Sequence, residues 1–85
     1  MNQWLSREIE KIMEGKNRRI TDIEINERSV YNGSVPIIEV EFRDVESGIL
    51  FSEDVIVDTK KDSFERILKD VEMEIDSFLK REEIA

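Results

Sequence analysis

Asn32-Gly33 constrains this chain more than any other pair of residues. An Asn-Gly dipeptide between two apolar runs marks a two-residue hairpin turn, because both central positions need a positive φ. Such a turn also sets the register. It pairs Tyr31 with Ser34, Val30 with Val35, Ile25 with Val40 and Ile23 with Phe42. The last two pairs put apolar against apolar on one face, as a half-buried antiparallel sheet requires. Pro36 falls near the start of the second strand, where its missing N–H is tolerable.

The segment Asp44-Val45-Glu46-Ser47-Gly48 then leads to a third strand. A tight turn over Glu46-Ser47 sets Phe42 against Phe51 and Ile38 against Val55. The same register places Glu53 on the apolar face, opposite Val40. A bulge around Ser52–Asp54 is the expected remedy, since it returns the carboxylate to water; a buried functional carboxylate is the alternative.

Helical patterns flank the strands. Phe64, Ile67, Leu68, Val71, Ile75, Phe78 and Leu79 form one apolar stripe within Asp62–Arg81. Asp62 is the expected cap, with Glu65 completing a capping-box-like pair and Ser63 competing. Asp62→Arg66, Glu65→Lys69 and Asp76→Lys80 stand at i,i+4 in the favourable order. Residues 3–14 make a shorter helix with Trp4, Leu5, Ile9, Ile12 and Met13 on one face, Asn2 as cap and Gly15 as stop. Trp4 and Leu5 are expected to anchor the core. Lys16, Asn17, Arg18 and Arg19 follow, read as cations near a helix C-terminus rather than a phosphate site. The expected fold is one α+β domain over residues 1–85, ordered α-β-β-β-α. Its three-stranded antiparallel meander carries both helices on one face.

Composition narrows the chemistry. The 85 residues hold neither cysteine nor histidine, which removes thiolate nucleophiles, the commonest general base and the commonest transition-metal ligands. The three glycines are isolated, so there is no phosphate-cradling loop. The sequence therefore points away from an enzyme and away from a cofactor. The carboxylates Glu24, Glu39 and Glu41 are spread along a flat sheet face without the convergence a hard cation needs, so no metal is expected. No apolar run reaches transmembrane length, and the Met1-Asn2-Gln3-Trp4 start is unlike a signal peptide, so a cytoplasmic protein without membrane contact is expected.

The charge balance points to a partner. Against 13 basic residues stand 21 acidic ones, for a net charge of −8. That field repels nucleic acid and attracts basic protein surfaces. On the outward face of the sheet the register gathers Asp22, Glu24, Glu39, Glu41 and Asp54. Asp22 can pair with Arg43, but Glu24 lies directly opposite Glu41, an arrangement that destabilises a sheet. Ile37 and Ile56 are apolar neighbours on that face, with Val30, Val35 and Leu50 beyond them. An apolar patch rimmed by carboxylates has the character of an interface. These residues are the candidate partner-binding set, and a homodimer is the competing use of the same face. Asp70, Glu72, Glu74 and Asp76 put a second acidic run on the last helix, with like charges at i,i+4.

Two families share this outline. The element order resembles the double-stranded-RNA-binding domain, with Lys60 and Lys61 where that family places lysines at the start of its last helix. The Arg28–Pro36 connection lacks that family's Gly-Pro-x-His loop, and Asp62 and Glu65 stand where further basic residues would fall. Size, order and acidity also resemble phage-encoded anti-CRISPR proteins, whose acidic surfaces occupy the nucleic-acid channel of a CRISPR nuclease. That resemblance implies an inhibitor acting as a nucleic-acid mimic, and it carries over no individual residue.

Overall fold

The structure is a computed structural model and describes residues 3–58 and 61–83. The order is α1 (Gln3–Glu14), β1 (Ile20–Val30), β2 (Val35–Asp44), β3 (Leu50–Ile56) and α2 (Phe64–Arg81). The strands form one open antiparallel sheet in the order β1-β2-β3. Both helices cover the same face, as the sequence pattern requires. The expected cap Asn2 and the basic residue Lys60 lie outside the described residues.

Tyr31, Asn32 and Gly33 have φ of 52°, 58° and 83°, and the Ser34 N–H donates to the Tyr31 carbonyl at 3.2 Å, closing a turn over Tyr31–Ser34 that is wider than the expected two residues. From there the register runs as the turn dictates: Val30 faces Val35, Ile25 faces Val40, and Glu24 faces Glu41. It then breaks. Thr21 pairs with Arg43, so Asp22 and Ile23 together oppose Phe42, and Asp22 takes a φ of 54°. The expected direct pair Ile23–Phe42 is thus replaced by a bulge. The physical reason lies in Ile20. Strict alternation from Ile25 and Ile23 would turn Ile20 to water, whereas one extra residue flips the phase and buries it.

The second hairpin keeps the expected register, with Phe42 against Phe51 and Ile38 against Val55. Its loop is wider than a two-residue turn. The Asp44 N–H reaches the Ile49 carbonyl at 3.0 Å, and the Gly48 N–H reaches the Asp44 carbonyl at 2.7 Å. No bulge occurs around Ser52–Asp54: Val40 faces Glu53 without interruption. Because β3 is an edge strand, Glu53 can stay half-buried and extend sideways to Arg81 at 3.0 Å, so the bulge is unnecessary.

The core joins Leu5, Ile9 and Met13 of α1 to Val40, Phe42 and Val55 of the sheet and Ile67, Val71, Ile75 and Leu79 of α2. Phe42 stacks on Phe51 and meets Phe78 edge-on, with ring centroids 5.5 and 6.0 Å away. Leu5 anchors the core as expected, but Trp4 is 48% exposed. It stacks on Phe64 at the start of α2, with ring centroids 5.6 Å apart. Ser63, not Asp62, caps α2: its Oγ accepts from the Arg66 N–H at 3.2 Å. That one-residue shift puts Arg66 rather than Glu65 three residues after the cap, and the expected capping box does not form. No helix among the described residues is long and apolar enough to cross a membrane.

Candidate functional site

The outer sheet face holds the acidic set, and the structure divides it. Asp22, in the bulge, stays on the outer face and lies 3.5 Å from the Arg43 guanidinium. Arg28 projects from β1 between the other carboxylates, 2.6 Å from Asp54 and 3.4 Å from Glu39. Glu24 and Glu41 remain. They face each other, and among the described residues no cation lies within ion-pair distance of either. Arg43, two positions along the same face from Glu41, is committed to Asp22 and to the Gly48 carbonyl at 2.6 Å. The Asp44–Ile49 and Val57–Pro36 bonds turn the even-numbered residues of β2 towards β3, so Glu41 bonds towards β1 and stands in a hydrogen-bonded pair with Glu24.

The apolar members of the set also part company. Ile56 is 72% exposed, whereas Ile37, on the central strand, is 7% exposed between Arg28 and Ile56. Ile37 therefore supports the face from beneath and is not offered to a partner. Ile56, with Leu50 at the other end of β3, supplies the accessible apolar surface.

The linker cations and the acidic run of α2 neutralise one another in part. Lys16 lies 3.1 Å from Glu72 and 3.0 Å from Asp76, so the like-charged i,i+4 pair is bridged by a cation from the end of α1. Asp70 and Glu74 have longer contacts, 3.9 Å to Arg66 and 3.8 Å to Arg81.

One charged residue escaped the sequence analysis. Asp44 is 2% exposed. Arg19 grips it with two hydrogen bonds of 3.0 and 2.6 Å, while the Ser47 hydroxyl at 2.8 Å and the Glu46 N–H at 3.2 Å complete its shell. The Arg19 bonds, aided by Ser47, hold the Asp44 carboxyl well below the usual carboxylate range despite burial. Arg19 opens onto the first strand and Asp44 closes the second, so antiparallel pairing brings them together. With four hydrogen bonds on its two oxygens, Asp44 fastens the linker to the second hairpin. Glu53 behaves oppositely: burial, then the nearby Glu74 charge, raise its pKa against the pull of Arg81.

Among the described residues no group of three potential ligands is disposed to hold a metal ion. A scan against protein-family models, a search of curated proteins and a search of solved structures each found no match. One sheet face thus carries an unneutralised pair of carboxylates together with exposed apolar side chains.

Proposed function

We propose that this chain is a small, non-enzymatic acidic protein of the cytoplasm that works by contacting a basic surface of another protein. The observation that carries the proposal is the Glu24–Glu41 pair. The fold finds an arginine for Asp22, Glu39 and Asp54, yet leaves two glutamates face to face on the same sheet. Stability alone favours opposite signs there, whereas a cationic partner gains from two close carboxylates. Ile56 and Leu50 add apolar area at the margin.

The most specific form of the proposal is an inhibitor that covers a nucleic-acid-binding channel, of the anti-CRISPR kind. Its support is the combination of small size, acidity and an acidic sheet face. Guide-loaded CRISPR nucleases, assayed for DNA cleavage with and without the protein, test that form directly. Inhibition should weaken with rising salt and fall about tenfold or more in Glu41→Lys. Undiminished cleavage across the nucleases sinks the inhibitor form. Inhibition that Glu24→Lys and Glu41→Lys both leave intact sinks the assignment of this face.

A further inference from the structure

The sheet has two edges, and they are finished differently. The β1 edge is broken by the bulge at Asp22–Ile23, a common device against unwanted strand addition. The β3 edge has no bulge, and its one guard is the inward-facing carboxylate of Glu53, which a basic partner would not oppose. The Asp44–Ile49 and Val57–Pro36 backbone bonds place the odd-numbered residues of β3 in hydrogen-bonded pairs with β2. Antiparallel alternation then turns the backbone groups of Leu50, Ser52, Asp54 and Ile56 away from the sheet. The Asp54 N–H is drawn to the Glu53 carboxylate. Among the described residues no loop or terminus hydrogen-bonds to the other three.

This edge borders a groove of about 520 Å³ whose opposite wall is α2. Asp70, Met73, Glu74 and Ser77 line that wall at i, i+3, i+4 and i+7, one face of the helix running beside the strand. Met73 is 59% exposed, an adaptable apolar side chain held open to water. Among the described residues no lysine or arginine lines the groove. Among the described residues its carboxylates Asp70 and Glu74 have only the long contacts to Arg66 and Arg81, which an incoming cation can replace.

We infer that the β3 edge and the α2 groove together receive an extended segment of a partner protein, added as a fourth strand. Its alternating side chains are apolar and basic. Backbone bonds to Ser52 and Ile56 supply the attachment, Ile56 takes the apolar side chains of the outer face, and Asp70 and Glu74 take the lysines or arginines of the face turned to α2, whose aliphatic stems pack on Met73. Charge argues against a second copy as the occupant. Two-fold antiparallel pairing of β3 with itself, centred on Glu53, sets Glu53 against Glu53 and joins two chains of net charge −8. The inference rests on the acidic-surface proposal for the sign of the partner's charge, but it names a separate site.

The probe is a capped nine-residue peptide alternating lysine with valine. Its glutamate counterpart and a version N-methylated at alternate amides serve as controls. Titration into labelled protein, followed by amide shifts and hydrogen exchange, should show saturable binding with the Ser52 and Ile56 amides shifted and protected. The glutamate and N-methylated peptides should not bind. Glu74→Lys and Asp70→Lys, both surface changes whose folding a melting curve verifies, should each weaken binding about tenfold. Glu24→Lys should leave it unchanged. No binding up to millimolar peptide overturns the inference, as does binding that survives N-methylation or leaves Ser52 and Ile56 unmoved. Protection of these amides that rises with protein concentration alone would identify a second copy as the occupant, and the inference would fail. Loss of peptide binding in Glu24→Lys but not in Glu74→Lys would keep the acidic outer face and eliminate the edge.

Discussion

Glu41 and Asp44 stand three residues apart on the same strand. Glu41 looks outward at a second glutamate, whereas Asp44 is sealed under an arginine, a serine hydroxyl and a backbone N–H. Burial makes the difference. A carboxylate taken out of water must find partners for its lone pairs or leave the fold badly destabilised, so Asp44 is surrounded. A carboxylate on the solvent face is screened, and the fold tolerates Glu41 with little loss. The sheet therefore has one face governed by packing and another on which charge is free to serve something other than stability.

Phe42, between the two carboxylates, marks the packed extreme. It faces inward at the centre of the Phe51 and Phe78 contacts, so Phe42→Ala should lose about 3–5 kcal/mol of stability by chemical denaturation. A midpoint close to that of the parent would mean that the inner face is not the packed one, and the contrast with Glu41 would vanish.

Asp44→Asn comes next. It keeps the shape of the side chain and removes the charge that Arg19 grips, so its melting temperature should fall further than that of any solvent-face substitution. Acid sharpens the point. The folded carboxyl has a pKa below its ordinary 3.8, so the unfolded chain takes up the proton first. The stability it contributes is complete above the ordinary range and is lost as pH falls through 3.8 towards the lower folded value. Asp44→Asn should accordingly flatten the acid limb of a stability–pH profile.

Glu53 has the opposite sign and a smaller effect. Its folded pKa lies above the ordinary 4.5, so its ionised form weakens the fold at neutral pH, and that penalty is relieved as pH falls through the raised value. Glu53→Gln should gain slightly in stability at neutral pH and lose the advantage in acid. A fall at neutral pH would show that the Arg81 contact outweighs desolvation.

How far the sequence foretold these features follows from what each depends on. The order of elements, both hairpin registers and the facing glutamates follow from local signals: the Asn-Gly turn, period-two alternation and the apolar stripe. The bulge was missed although its trace is visible. Ile20 and Ile23 are three apart where Ile23 and Ile25 are two apart, and an odd interval between core residues of one strand requires an extra residue. The Arg19–Asp44 cluster was harder to see, because its members stand 25 positions apart and meet only once the strands pair. Trp4 was misjudged on residue type, since it lies against Phe64 of α2 and outside the core rather than within it. The acidic set was right in orientation, but Arg28 and Arg43 neutralise three of its members, and a side chain long enough to reach across strands does not show in a face pattern.

The smallest expected effect is also the most diagnostic of the outer face. Glu24→Lys and Glu41→Lys each convert a facing like-charge pair into an opposite one, and each should stabilise the protein by a few tenths of a kcal/mol, roughly 0.2–1. The double substitution restores like charge, now positive, and should forfeit both gains. A double-mutant cycle at low salt therefore gives a coupling of opposite sign to the single effects, and raising the salt should shrink all three terms together. If instead the two gains simply add, the side chains do not face each other. The benefit would then come from lowering a net charge of −8 anywhere on the surface, and Glu41 would lose its special standing against Asp44. Glu10→Lys, inside α1 and away from the pair, separates these outcomes: it removes the same charge without touching the pair or a helix end, so it should reproduce the general gain and show no coupling to Glu41→Lys.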